Sequence, residues 1–377
     1  PRAGSVPGRP RRSAVQIAAP PRRILVVFPR RIGDVLLATA AVRALKRAYP
    51  QAGLDMLVFD GTQGVLAGND DIDRVITVAE RPTLGAHLGL AARLFRRYDL
   101  AVSLLAGDRP TLYAWLAGRR RVGTLVDDRK NRWKRRLLHA WVPFDDLHTH
   151  TVRMNLQVVA LLGLRARGDP VASCPQAAAA AARSAFPSLE RERFAVLHVS
   201  PKFVYKSWTL DGWAALAQAL AADGLRVAVA GGASPEERAY VDALLPRMPA
   251  QTIDLAGRVD LAALACVLSR AALYVGTDTA VTHMAAALGT PTVALFGPSN
   301  PVKWGPWPAG FDADLPSPWP MRGSGRLGNV FLVQGEAHCV PCREEGCERH
   351  IASRSDCLTH LPAARVIDAA RAVMSGR

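Results

Sequence analysis

The sequence predicts an α/β protein in two halves, each built on a mostly parallel sheet with helices on both faces. Three observations carry that prediction. Short apolar runs alternate with helical patterns, a Pro-, Gly- and Ala-rich run breaks the rhythm near the middle, and the alternation then restarts. With 377 residues the chain is also longer than one hydrophobic core usually serves.

The first strand is expected at 24–28, where Ile24, Val26 and Val27 suit a buried parallel strand. A helix is expected at 34–48, because Val35, Ala38, Val42 and Leu45 recur at three- and four-residue spacing. The same reading places strands at 54–59, 100–104, 194–198, 227–230, 273–275 and 292–296, and helices at 84–97, 210–222 and 280–288. The interrupting run from Ala166 to Arg193 reads as a connection between domains. The expected organisation is a basic tail at 1–22, a first domain at 23–168, a linker at 169–193, a second domain at 194–360 and a C-terminal helix at 361–377. Apart from this shared rhythm, no internal sequence repeat is visible.

The net charge of +16 is concentrated in two places. Residues 1–23 hold six arginines, among them Arg2, Arg9, Arg11 and Arg12, and no acid. Residues 119–136 hold nine basic residues against Asp127 and Asp128, with Trp133 interleaved. Such clusters point to an anionic partner: nucleic acid, a phosphorylated glycolipid or an anionic membrane surface. A solvated tail and loop would carry the same charges without a partner. No apolar run approaches the roughly 20 residues of a spanning helix, and the first residues lack an apolar signal core. A cytoplasmic location is therefore expected.

In open parallel sheets, ligands sit beyond the carboxyl ends of the strands. No G-x-G-x-x-G follows any predicted strand, which argues against a dinucleotide dehydrogenase, and no G-x-x-x-x-G-K-[ST] phosphate loop is present. The most informative loops lie in LYVGTDTAVTHMAAALGTPTVALFGPSNPVKWGPW, 273–307. There Thr277, Asp278 and Thr279 occupy a strand-to-helix turn, a place where backbone N–H groups and the helix dipole attract phosphate. Asp278 and Thr279 could instead cap that helix, and His283, one turn in, has the position of a core histidine. Gly297 and Pro298 form a second loop at the same edge. At the first strand–helix junction, Pro29-Arg30-Arg31-Ile32-Gly33-Asp34 places one carboxylate beside two arginines, with Gly33 read as permitting a tight turn.

Four pieces, in this order, resemble a known family: ILVVFPRRIGDVLLATAAVRALKRAYP at 24–50, YDLAVSL at 98–104, YKSWTLDGWAALAQAL at 205–220, and VGTDTAVTHMAAALGTPTVALFGPSNPVKWGPW at 275–307. Together they resemble the heptosyltransferases of glycosyltransferase family 9, which move heptose from ADP-heptose to the lipopolysaccharide inner core. The resemblance runs from about residue 22 to residue 370, and its wording is most similar to the branch that adds a third, side-chain heptose. It implies the GT-B architecture, two Rossmann-like domains facing a cleft, with acceptor on the first and nucleotide sugar on the second. It also implies an inverting single displacement with no required cofactor, run by a protein peripheral to the inner face of the inner membrane.

On that resemblance Asp34 is the candidate base, with Arg30, Arg31, Gly33, Arg120, Arg129 and Lys130 on the acceptor side. Lys206, Thr277, Asp278, Thr279, His283, Gly297 and Pro298 would surround the ADP-sugar. Each has a plainer alternative. Asp34 is well placed for a helix N-cap, and its positive surroundings favour the carboxylate while weakening it as a base. Lys202 rivals Lys206. The stretch GGASPEE at 231–237 follows a strand but has the composition of an ordinary helix start.

Cys174 and Cys266 read as isolated thiols. Cys339, Cys342, Cys347 and Cys357 form C-x2-C-x4-C-x9-C, which in a cytoplasmic protein suggests a structural Zn or Fe site, with free thiols as the competitor. The function expected is transfer of heptose from ADP-heptose to a phosphorylated lipopolysaccharide-core acceptor. Transfer of another sugar and heptosylation of a protein are the alternatives within the class. A basic nucleic-acid binder is the alternative outside it, weakened by the absence of any nucleic-acid motif and by an aromatic content of 6%.

Overall fold

The computed structural model describes residues 19–165, 167–312 and 314–375. Arg2, Arg9, Arg11 and Arg12 of the basic tail lie outside the described residues. The chain divides into two compact units between Val171 and Ala172.

The first unit holds six parallel strands: β1 (Arg23–Val27), β2 (Gly53–Phe59), β3 (Arg74–Val78), β4 (Tyr98–Ser103), β5 (Gly118–Leu125) and β6 (Ala140–Pro143). Their order in the sheet is β3-β2-β1-β4-β5-β6. The crossovers carry α1 (Ile32–Ala48), α2 (Leu84–Leu94) and α3 (Asp108–Ala117), and α4 (Thr151–Ala160) packs against α1. Strand β1 is buried along nearly its whole length, as its continuous apolar run requires. On one face Leu25, Val27 and Leu57 meet Leu90, Leu94 and Tyr113 of α2 and α3.

Strand β5 was hidden in the sequence by its charge. Arg119 and Arg120 project into solvent at its amino end, whereas Val122 to Leu125 are buried between β4 and β6. Gly118 starts the strand because a Cβ there would stand 2.5 Å from the Cβ of Ala101.

The second unit repeats the topology. Its strands are β7 (Phe194–Ser200), β8 (Arg226–Gly231), β9 (Ile253–Asp254), β10 (Leu273–Thr277), β11 (Thr292–Phe296), β12 (Gly325–Leu327) and β13 (Val330–Gln334). The order is β12-β13-β11-β10-β7-β8-β9, parallel except for β12, which pairs antiparallel with β13. The helices are α5 (Gln176–Ala185), α6 (Ser188–Arg191), α7 (Leu210–Ala222), α8 (Pro235–Leu244), α9 (Leu261–Arg270), α10 (Ala280–Ala287), α11 (Pro301–Trp304), α12 (Asp356–Thr359) and α13 (Ala363–Met374). Set β12 aside, and each unit runs third-second-first-fourth-fifth-sixth strand across its sheet.

The centre of this core is aromatic. Trp208 and Trp213 are fully buried, edge to face at 5.0 Å, and the indole N–H of Trp208 donates to the Leu361 carbonyl at 2.9 Å.

Two expectations are corrected here. The run read as a linker at 169–193 contains α5 and α6 and from Ala172 onward belongs to the second unit; its alanines, which have the highest helix propensity of any residue, form α5. Cys174 and Cys266, read as isolated thiols, form a disulfide that ties the segment leading into α5 to α9. Their separation of 92 residues left no local signal of the pairing.

Several glycines mark places where segments touch. At Gly335 a Cβ would lie 1.9 Å from the backbone oxygen of Cys357, which pins the chain after β13 against the segment leading into α13. Gly335→Ala is therefore expected to destabilise the protein by about 1–3 kcal/mol through forced backbone displacement. Urea unfolding checks this, and an unchanged midpoint would contradict the packing.

Candidate functional site

In each sheet the first and fourth strands are neighbours, and their connections leave in opposite directions. In open parallel sheets such a point is where a crevice forms beyond the carboxyl ends. In the first unit this point lies between β1 and β4. The loop Phe28 to Arg31 leaves β1, and α1 begins at Ile32. Arg31 occupies the N-cap position with no side-chain capping bond, and Asp34 sits in the first helical turn. Asp34 is thus not the N-cap, the plainer role its sequence position allowed. Its carboxylate is largely buried, and Oδ2 lies 3.5 Å from Arg30 Nε.

Gly33 is corrected. It is the second residue of α1 and not among the positive-φ glycines, so no tight turn depends on it.

The basic segment 119–136 is divided by the fold. Arg129 and Lys130 are exposed on the loop after β5, at the same edge of the sheet as Asp34. Arg120 is also exposed, but at the amino end of β5 and so at the opposite edge. Its expected place beside Asp34 is corrected accordingly: a parallel strand carries residues a few positions apart from one edge to the other. Within the segment Lys134 is buried and pairs with Asp108, while Arg135 pairs with Asp127.

In the second unit the corresponding point lies between β7 and β10, and the expected donor residues gather there. Lys206, in the short helical turn after β7, donates from Nζ to Asp278 Oδ2 at 2.5 Å and to the Asp278 carbonyl at 3.3 Å. Lys202, its rival, is exposed. Burial is the largest single influence on the Asp278 carboxyl and would raise it, but the Lys206 ammonium, His283 and the hydrogen bonds from Lys206 and Ser299 together hold the group below the usual carboxylate range. His283 Nε2 lies 3.9 Å from the other carboxylate oxygen. Burial pushes this imidazole down to about 4, so it is neutral at pH 7, and its Nδ1 meets no hydrogen-bond partner among the described residues.

Thr279 stands at the N-cap of α10 without a side-chain capping bond. By contrast α7, α8 and α9 are capped by Thr209, Ser234 and Asp260. The stretch around Ser234 is the ordinary helix start its composition suggested. Thr277 ends β10 with a buried hydroxyl that likewise lacks a partner among the described residues. The α10 N-terminus thus presents backbone N–H donors and uncommitted polar atoms beside a lysine, an arrangement that accepts an anion.

Gly297 and Pro298 follow β11 at this edge but are engaged elsewhere. A Cβ at Gly297 would stand 2.7 Å from Leu358, and the Pro298 carbonyl accepts from the Arg343 N–H at 2.8 Å. Sequence reasoning missed two residues. His198, disguised in the apolar run of β7, is buried opposite Gly276 of β10, and burial lowers it to about 4. Ser299 hydrogen-bonds the Asp278 carboxylate and could have been read from the GPSN loop.

The cysteine segment does not make the expected metal centre. Cys339 and Cys347 are exposed, Cys342 is half-buried and Cys357 is buried, with burial pushing its thiol up to about 12. Among the described residues no group of three or more His, Cys, Asp or Glu side chains could hold a metal ion. The segment serves instead as a brace: Ser355 Oγ donates to the Tyr205 carbonyl at 2.7 Å, next to Lys206.

Two Rossmann-like units, one with an anion-accepting crevice and the other with a buried carboxylate at the matching point, define a nucleotide-dependent α/β protein of the GT-B class. Residues 96–311, more than half the chain, match the family model described as glycosyltransferase family 9 (heptosyltransferase). The chain belongs to that family and is a glycosyltransferase. It is 28% identical over 287 residues to "Lipopolysaccharide heptosyltransferase 3" of Escherichia coli (strain K12), covering 73% of this chain and 82% of that protein. Its fold is similar to that of a family 9 glycosyltransferase from Veillonella parvula, with TM-score 0.76, 20% identity and coverage of 94% and 98%. It is likewise similar to E. coli ADP-heptose lps heptosyltransferase II, with TM-score 0.72, 19% identity and coverage of 94% and 99%.

The two histidines give a pH prediction. Both have folded values near 4 against 6.5 for the free side chain, so the unfolded chain binds protons between those limits that the folded chain does not. Stability therefore falls as pH drops from about 6.5 to about 4, by roughly 1.4 kcal/mol per pH unit per histidine. Unfolding at stepped pH should show this, with a shallower slope in His198→Phe. A wild-type curve flat over that range would remove the basis of the assignment.

Proposed function

We propose that this glycosyltransferase moves a heptose from ADP-heptose to the phosphorylated inner core of lipopolysaccharide, and that it acts in the branch that adds a third, side-chain heptose. Family membership and the similarity to "Lipopolysaccharide heptosyltransferase 3" support the donor, the acceptor and the branch. The observation that carries the donor assignment is the Lys206–Asp278 pair beside the uncapped start of α10.

The chemistry follows from the residues. An ammonium has three N–H donors, and Lys206 places two on Asp278, leaving one for a phosphate oxygen. Asp278 orients that lysine. The backbone N–H groups opening α10 add fixed positive potential where diphosphate charge builds as the glycosidic bond breaks. A hydroxyl of the acceptor attacks the anomeric carbon, the bond from that carbon to the diphosphate oxygen breaks, ADP departs, and the configuration inverts. Asp34 accepts the hydroxyl proton. Its carboxylate is well shielded from water, and Arg30 lies beside it at 3.5 Å. Arg31, Arg129 and Lys130, exposed at the same sheet edge, offer charge to the phosphates of the acceptor. No bound metal is needed in this scheme. Work at the inner face of the inner membrane follows from a lipid-linked acceptor.

Two measurements test the reading. ADP and ADP-sugars should raise the melting temperature while UDP and GDP do not; preferential stabilisation by UDP would sink the heptose assignment. Asp34→Asn should lower transfer by about 10²–10⁴-fold while ADP binding persists, and undiminished turnover would remove Asp34 from the mechanism.

A further inference from the structure

The first unit carries an exposed apolar surface that neither its core nor the proposed chemistry uses. Leu84 and Leu88 of α2 and Phe95 just past its end are 75%, 63% and 61% exposed, while Leu90 and Leu94 of the helix are buried. Leu84 and Leu88 share one face of the helix, since a spacing of four residues returns to the same side. The neighbouring α3 adds Leu112 and Trp115 at 41% and 42%. The helices are joined by the Tyr113 hydroxyl and His87 Nδ1 at 3.2 Å, and by the Arg96 N–H donating to the Leu116 carbonyl at 3.0 Å.

The charge around this surface is predominantly positive. Residues 80–121 contain eight arginines against Glu80, Asp99 and Asp108. Asp99 is occupied by the backbone N–H groups of Arg22 and Arg23, and Asp108 by Lys134. The bond from Arg96 to Leu116 brings the end of α2, with Phe95 and Arg97, to the end of α3, two residues before Arg119 and Arg120. Arg120, found away from the Asp34 edge, and its neighbour Arg119 are therefore close in the chain to the end of α3, at the same amino edge of the sheet as Phe95.

We infer that the outer face of α2 and α3 is a membrane-docking surface, in which the leucines, Phe95 and Trp115 enter the acyl boundary while the arginines meet anionic headgroups. Exposed leucine and aromatic side chains bordered by arginine, on helices too short to span, match a surface that lies in the interface rather than crossing it. A second copy of the chain would bring arginine against arginine, so charge favours lipid as the occupant. The inference rests on the lipid acceptor proposed above, and it assigns the membrane contact to a surface other than the reaction edge.

The test is co-sedimentation of the full chain with vesicles of phosphatidylglycerol and phosphatidylethanolamine, against vesicles of phosphatidylcholine alone. Wild type should sediment with the anionic vesicles. Leu84→Ser, Leu88→Ser and Phe95→Ser combined should weaken partitioning by about tenfold or more. Arg96→Gln with Arg97→Gln should reduce the preference for anionic lipid and its sensitivity to salt. Unchanged urea unfolding confirms that the variants fold. Equal sedimentation of the triple variant, failure of wild type to bind, or a wild-type dimer that the triple variant converts to monomer would each overturn the inference. The ADP thermal shift, measured without vesicles, reports separately on the sugar-transfer reading.

Discussion

Both units depend on a single topological constraint. A right-handed crossover between parallel strands must pass over one face of the sheet, so when the strand order turns back after the third strand the next helix crosses the opposite face. The two connections at that point diverge, and the backbone between them cannot close over the carboxyl edge. The residues proposed for the chemistry lie at the two places where this occurs: Asp34 after the first strand of one unit, Lys206 and Asp278 after the first and fourth strands of the other. The same arrangement is reached with no visible repeat in sequence, so it is the order of crossovers, not particular side chains, that is common to the two halves.

Within that frame the two crevices are electrostatically different. In the second unit a lysine and an aspartate neutralise each other beside two neutral histidines, and the remaining potential is that of a helix start. Such a site has little net charge when empty and strong directional donors, which suits a ligand that brings its own negative charge. In the first unit the carboxylate lies under a partly exposed arginine, with further cations on the loop after β5. Here the protein supplies both signs, a buried carboxylate and exposed cations. Desolvating a carboxylate without a partner would be costly, and Arg30 limits that cost.

The fold was largely legible in the sequence because parallel strands buried on both faces leave continuous apolar runs. All seven expected strands are present, and they include the first and fourth strands of both sheets. Six strands escaped: β3 is half exposed, β5 carries three arginines after Gly118, β6 and β12 are short, β9 has two residues, and β13 was missed despite its buried apolar run. The Asp278 cluster was legible because its members lie close in sequence, with Lys206 supplied by the family motif. What escaped there depended on distance or disguise. The Cys174–Cys266 disulfide spans most of a domain, His198 is embedded in an apolar strand, and the division of the basic segment between two sheet edges is set by where β5 starts. The cysteine spacing looked like a ligand set, but two of the four thiols are exposed and the segment's backbone and side chains brace neighbouring loops.

That brace has a temporal consequence. The indole of Trp208 is held by the carbonyl of Leu361, and the loop carrying Lys206 is held by Ser355, each about 150 residues later in the chain. The sheet of the first unit is complete at Pro143, whereas β13 and α13 of the second come only after residue 330. During synthesis the first unit can therefore close while the ribosome is still building the other. The lysine loop reaches its final position only once the stretch through Leu361 has left the exit tunnel. The Asp34 carboxylate is thus in place well before the Lys206–Asp278 pair, and a prematurely terminated chain would hold the one without the other.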